Sequence, residues 1–369
     1  MGVQIFFVIS GYLIISYSIY LWQQLFLSPH GTALLQTFPI NVVATFCCAA
    51  LSYIIVEKPL AGLRNRLRQK VSGWIMQQFE NMAFTSRVKY QINKCLALAN
   101  LRVETKTAER AEMERLVRLD RAGHFREQVF SVLTQITDCD ANPVLKAVEK
   151  YEDQTGRFAR ASAVGGFSFS NDYFTSPDAE VAYALIRLLE PAQIIEVGSG
   201  NSTHLFREAI TDGQLGTKLT SIDPSPRREI ESVANKIIRR RLEEVGSADL
   251  EDVLEAGDIL FIDSSHEIRP GNDVVHLFLN VVPKLRRGVV IHVHDIFLPF
   301  EYPREWIIEN TLNVNWTEQY LLQAMLQGSN EFEVLWPGYY LEKTLPGFSK
   351  YFHHATPRIA TSFWLRKIV

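Results

Sequence analysis

The sequence predicts an α/β fold: a doubly wound, largely parallel sheet in the C-terminal part, preceded by a helical connector and two transmembrane helices. Three observations predict it. No Asp, Glu, Lys or Arg occurs before Glu57, although the rest of the chain is as charged as a water-soluble protein. Residues 71–150 are polar and nearly free of Gly and Pro. Beyond Phe167, short apolar runs alternate with helical stretches, the pattern of strands covered by helices on both faces.

The N-terminal region comes first. Residues 3–27 form a run long enough to cross a hydrocarbon core of about 30 Å at about 1.5 Å per helical residue. A second run covers residues 38–56, giving a two-span anchor over 1–70. A cleaved signal peptide is the competing reading, but a basic n-region and a small-residue cleavage site are both missing. Lys58, Arg64, Arg66, Arg68 and Lys70 follow the second run, and basic residues next to a span stay on the cytoplasmic side. This predicts a bacterial-type inner-membrane protein with its C-terminal domain in the cytoplasm.

The connector, residues 71–150, carries helical apolar spacing in "AEMERLVRLDRAGHFREQVFSVLTQI", with a break near Gly123. It reads equally as a stalk, as an element of a homo-oligomer, or as a cap on the following domain. A net charge of −3 supplies no general basic field for nucleic acid, and no nucleic-acid module is recognisable. Cys47, Cys48, Cys95 and Cys139 have neither CxxC nor another cysteine-ligand spacing, which suits unpaired thiols in a reducing compartment.

In the domain that follows, residues 151–369, Ser176 and Pro177 predict the start of a helix running to Leu189. The strands expected next are "QIIEV", "LTSID", "KIIRRRL", "DILFID" and "GVVIHVHD", with "FEVLW" and "TSFWLRKI" as a late antiparallel pair. Ligands of such a sheet bind beyond the carboxyl ends of its strands. "IIEVGSGNST" leaves the first strand with Glu196, Gly198, Ser199 and Gly200, where missing side chains let a ligand approach the backbone. The third glycine of a dinucleotide-binding turn is absent. Asp223 ends the second strand, where a carboxylate can accept both hydroxyls of a ribose. An adenosine-containing cofactor without a pyrophosphate fits this pattern.

Two resemblances add to that reading. "GVQIFFVISGYLI", "SYSIYLWQQLFL" and "LSYIIVEKPLAGLRNRL" resemble segments of the membrane acyltransferase-3 family, but nothing in this chain matches that family's acyl-transfer histidine. The implied role is a membrane anchor rather than an acyltransferase. From about Phe167 onward, the E-x-G-x-G turn, Asp223 and the later strand ends resemble class I S-adenosylmethionine-dependent methyltransferases. That resemblance implies a Rossmann-like, seven-stranded sheet, S-adenosylmethionine as methyl donor, and Glu196, Gly198, Ser199, Gly200, Asp223 and Asp263 around it.

The acceptor side is expected at the next two strand ends. "DILFIDSSHE" supplies Asp263 and His266, and "VVIHVHDIF" supplies His294 and Asp295. In metal-dependent O-methyltransferases of sugars and catechols, which these segments resemble, a divalent ion sits between such carboxylates. Asp263, His294 and Asp295 are the ligands this implies, for magnesium, manganese or iron, with imidazole moving preference away from magnesium. An alcohol needs its proton removed, and His266, in a D-x-x-H spacing, is the expected general base, with His294 and Asp295 beside it as further catalytic candidates. A metal-free site with His266 or His294 as the base is the alternative. His292 reads as a hydrogen-bonded core residue.

After the fifth strand, Trp306, Trp316 and Tyr320 suit a lid that stacks on a sugar ring, with Glu318 and Gln319 as acceptor contacts. The function expected is methylation of a hydroxyl on a glycan, a lipid-linked molecule or another small molecule. A non-catalytic scaffold with a vestigial cofactor fold, or a remnant acyltransferase, are the other readings.

Overall fold

The computed structural model describes residues 84–96, 106–161, 166–246, 250, 252–309, 315–354 and 358–369. Both expected membrane spans lie outside these residues, and among the described residues no helix is long and apolar enough to cross a membrane. The chain divides into two units, Met1–Lys106 and Thr107–Val369. The first contains helix α1 (Phe84–Leu96); helix α2 (Lys106–Arg121) leads into the second.

Within the second unit, α2 stops where the sequence predicts a break, with Gly123 in a left-handed conformation at φ 88°. The segment after it then docks on the loop that follows the fifth strand. Val129 and Phe130 donate backbone N–H groups to the Pro299 carbonyl at 3.3 and 3.0 Å. Arg304 Nε donates to Asp120 Oδ2 at 2.9 Å. This end of the connector therefore caps the domain, a choice the sequence left open.

Helix α3 (Asn142–Lys150) packs on α4 (Asp178–Leu189), and the sheet follows: β1 (Gln193–Val197), α5 (Asn201–Asp212), β2 (Lys218–Ile222), β3 (Lys236–Ile238), β4 (Ile259–Ile262), β5 (Val290–Val293), α6 (Glu318–Gln327), β6 (Phe332–Pro337), α7 (Gly338–Thr344) and β7 (Phe363–Lys367). Strand order is β3-β2-β1-β4-β5-β7-β6, with β7 antiparallel to both neighbours and the others parallel. The expected strands and the antiparallel closure are all present. Ser176 departs from expectation, since its hydroxyl donates to the Glu180 side chain at 2.8 Å instead of capping a backbone N–H.

Because strand side chains alternate, one hydrophobic core forms on each face. Ile194, Leu219, Phe261, Val290 and Trp364 face α3, α4 and α5. Ile195, Ile222, Leu260, Ile291 and Leu365 face the other layer, which includes Leu322 and Leu326 of α6. Strand order reverses at β1, with β2 and β3 on one side and β4 and β5 on the other, so the β1–β4 junction is the topological switch point.

Candidate active site

The cofactor side is built on the turn between β1 and α5. Gly198, at φ 80°, approaches β4 so closely that a Cβ there would lie 1.9 Å from the Asp263 carbonyl oxygen. Only glycine fits both the conformation and the space. Glu196 anchors this turn from beneath: its carboxylate accepts the hydroxyls of Ser202 at 2.6 Å, Thr203 at 2.7 Å and Ser221 at 2.9 Å. Thr203 Oγ1 in turn accepts the Gly200 N–H at 2.9 Å. Glu196 is fully buried, and burial pushes its carboxyl up to about 7 against these three hydroxyls.

Above the turn lies a cavity of about 470 Å³, lined by Gly198, Ser199, Asp223, Arg227, Leu242 and Asp263 among others. Asp223 Oδ2 accepts the Ser199 backbone N–H at 2.8 Å and its hydroxyl at 3.0 Å, while Oδ1 accepts the Ser225 N–H at 2.7 Å. Three of its roughly four lone-pair sites are thus used, and Oδ1 keeps capacity for a ligand hydroxyl. Of the residues expected around the cofactor, Gly198, Ser199, Asp223 and Asp263 line this cavity. Glu196 and Gly200 do not. Their contribution is to hold the turn, because the carboxylate points into the hydroxyl cluster below it.

The rim begins where β4 and β5 end side by side. Asp263 N–H donates to the Val197 carbonyl and His294 N–H to the Ile262 carbonyl, each at 2.9 Å, so the ladder runs to the edge of the cavity. His266 stands at the centre. Its Nε2 lies 3.1 Å from Asp263 Oδ1 and 3.7 Å from Asp295 Oδ2, and its Nδ1 lies 2.8 Å from Glu318 Oε2. Burial alone would push this imidazole down, but hydrogen bonds to Asp263 and Glu318 and the charges of Glu318 and Asp295 raise it well above its ordinary value. Asp263 responds in the opposite sense. Burial pushes its carboxyl up, and the His266 hydrogen bond with the charges of His294, His266 and Arg227 more than reverses this. Glu318 is raised by burial, with His266 opposing.

His266 and Asp295 both take left-handed backbone conformations, at φ 59° and 58°. Such a conformation is costly for residues with a Cβ, and it is what turns both side chains toward Asp263. Donor atoms of Asp263, His266 and Asp295 all fall within 4.8 Å of one another, a group able to hold a metal ion. His294, expected as a ligand, is outside that group. Its ring turns below the rim against Phe174, with Nε2 3.5 Å from Thr361 Oγ1 and 3.9 Å from Asp295 Oδ1. The left-handed turn at Asp295 separates the two neighbours, sending the carboxylate up and leaving the imidazole in the sheet.

Two further expectations are revised. His266, the expected base, has both ring nitrogens engaged by carboxylates, Nε2 by Asp263 and Nδ1 by Glu318, so neither points freely at an acceptor. Glu318 and Gln319 are fully buried and face the protein. Gln319 accepts the Phe297 N–H at 3.0 Å, and its own N–H donates to the Tyr302 hydroxyl at 3.1 Å. Tyr320 donates its hydroxyl to Glu301 at 2.8 Å. Trp316 is the aromatic nearest the rim, its ring centroid 4.6 Å from that of His266 and 5.0 Å from that of Trp306. His292 meets its expected role: it is buried, stacks on Phe261 with centroids 3.8 Å apart, and pairs with Ser362 Oγ at 3.1 Å. The Glu318–His266 pairing could not be read from sequence, since the two residues lie 52 positions apart.

Residues 195–296 match the family model of a methyltransferase domain. The chain carries a methyltransferase domain. The match runs from β1 to the residue after Asp295 and so takes in both the cofactor turn and the rim. No curated protein matches this chain. Among solved structures, an O-methyltransferase from Bacillus cereus in complex with SAH is 15% identical with a TM-score of 0.33, covering 70% of this chain and 100% of that one. An SAH-bound methyltransferase from Podospora anserina is 14% identical with a TM-score of 0.33, covering 72% and 99%. The cavity has the two features that the sequence predicts for S-adenosylmethionine: a close-approach glycine at the turn and a carboxylate at the end of β2.

Proposed function

We propose that this chain is a membrane-attached O-methyltransferase acting on a hydroxyl of a sugar-containing or lipid-linked acceptor. The observation that carries the chemistry is the position of Asp263, which lines the cofactor cavity and also hydrogen-bonds His266. Cofactor and polar rim thus share one wall. S-adenosylmethionine supplies a methyl group on a sulfonium. Asp223 and the Ser199 turn orient it, and Gly198 keeps the cavity floor at backbone height.

An acceptor hydroxyl entering at the rim meets Asp295, whose carboxylate is placed to take its proton as the oxygen attacks, while Asp263 is held by His266. Asp263, His266 and Asp295 also fit a divalent ion, which would make a hydroxyl bound there more acidic. Glu318 then serves as the carboxylate behind a ligating histidine, fixing its tautomer. His266 in this reading is a ligand or a charged positioning group.

Membrane attachment is supported by the charge-free runs at 3–27 and 38–56 and by their basic flank, which favour an inner-membrane protein with the catalytic domain in the cytoplasm. The acceptor class is supported by that location, by the N-terminal resemblance to envelope acyltransferases, and by Trp316 beside the rim. The test is methyl transfer from labelled S-adenosylmethionine by the full-length chain, with and without manganese, to membrane glycolipids and to carboxyl and amine acceptors. Labelled ethers on glycolipids support the proposal. Transfer confined to carboxyl or amine groups would overturn it.

A further inference from the structure

A second group of ligand-type side chains lies outside the active site. Glu152 belongs to a short helix, Glu152–Gly156, and His353 and His354 follow a single helical turn, Phe348–Tyr351, on the way to β7. Both imidazoles aim Nε2 at one carboxylate oxygen. His353 Nε2 is 2.9 Å and His354 Nε2 3.7 Å from Glu152 Oε1. One donor atom from each residue falls within 4.8 Å of the others.

Three details go beyond a chance ion pair. His353 Nδ1 lies 3.2 Å from the Lys350 carbonyl, a contact that fixes the ring with Nε2 facing Glu152. The Nε2 atom of His354 is buried and has no hydrogen-bond partner, although buried polar atoms nearly always find one. The His354 ring also lies flat against Gly156, where a Cβ would stand 2.9 Å from its Cε1. Any side chain at that position would push the ring out of line.

We propose that Glu152, His353 and His354 bind a divalent transition metal, with zinc the best match. Two imidazoles and one carboxylate suit zinc and its neighbours rather than magnesium or calcium. Ligands at about 2.1 Å from a tetrahedral ion stand roughly 3.4 Å apart, and the observed 2.9 and 3.7 Å bracket that spacing. Half of the His353 side chain is exposed, which leaves a path for the ion and a fourth position for water. The ion would tie the segment leading into β7 to the helices packed on α4. This site is separate from the Asp263, His266 and Asp295 group and does not depend on what that group does.

The test uses cobalt(II), a coloured substitute for zinc, titrated into metal-stripped full-length protein carrying Asp263→Asn, which disables the rim group, and into its His353→Ala, Glu152→Gln and Gly156→Ala derivatives. The expected result is one equivalent giving a visible ligand-field band, displaced by zinc. His353→Ala and Glu152→Gln should weaken it by more than about tenfold, and Gly156→Ala should weaken it with all three ligands intact. Zinc should raise the melting temperature of the Asp263→Asn protein but not of its His353→Ala derivative. A band that survives His353→Ala, or no band from the folded Asp263→Asn protein, would each overturn the proposal.

Discussion

The two halves of the active site are built differently. The cofactor half comes from one β-turn-α segment and the end of the adjacent strand, and its key contacts, Glu196 to Ser202 and Thr203, span 6 and 7 residues. The rim, proposed to meet the acceptor, is assembled at long range: Glu318 reaches back to His266, and Arg304 is held by Asp120 at a separation of 184 positions. The first half is fixed by backbone sterics and a buried hydroxyl cluster. The second depends on charges meeting across elements, so the halves should fail separately when mutated.

The largest effect is expected from Gly198→Ala. Its Cβ meets the Asp263 carbonyl and its backbone is left-handed, so both halves are disturbed at once. A destabilisation of at least about 2 kcal/mol and loss of S-adenosylmethionine binding are expected, measured by urea unfolding and calorimetry. Unchanged binding would show that the turn relaxes without cost. His266→Ala should separate the halves, lowering turnover by about 10²-fold or more while leaving cofactor affinity within about threefold. A parallel fall in cofactor affinity would mean that the division is false.

A smaller effect is expected at the buried carboxyl of Glu196. Its folded-state value of about 7 exceeds the ordinary 4.5, so the native state holds this proton more tightly than the unfolded chain. Stability from this group is therefore full below the ordinary value and declines as pH rises toward about 7. Glu180, pushed by burial to about 7, acts in the same direction. Glu196→Gln should reduce the fall in melting temperature between about pH 5 and about pH 8 by on the order of 5 °C. An identical slope in wild type and variant would remove Glu196 as the cause. The smallest effect is expected from Arg304→Ala, which frees the loop after β5 from α2. Acceptor KM should rise a fewfold, with no change in affinity for the donor.

Local chemistry explains which parts of this architecture could be read in advance. The apolar runs at β1, β4 and β5 are buried on both faces, so their composition announces strands wherever they pack. Gly198 and Asp223 were legible because a turn leaving a strand constrains backbone shape within a few residues. Glu196 was legible as a motif member but not in its role, since its burial depends on Ser221 of the neighbouring strand. The rim was half legible. Its residue types were plain, while the exchange of His294 for His266 in the metal-capable group was not.

By itself, then, the sequence determined the order of strands along the chain, the glycine turn, the carboxylate at the end of β2 and the supply of acids and histidines at two strand ends. Hydrophobic periodicity and backbone sterics act over a few residues, and that is enough to specify such features. Tertiary structure alone decided which of those groups meet. Left-handed backbone at His266 and Asp295 aims their side chains at Asp263, and α6 brings Glu318 to the far face of the imidazole. The same holds for Glu152, His353 and His354, which converge only because the segment before β7 packs beside a short helix early in the domain. Electrostatic pairing in a buried site is set by distances of a few ångströms between residues far apart in the chain, and no local pattern records them.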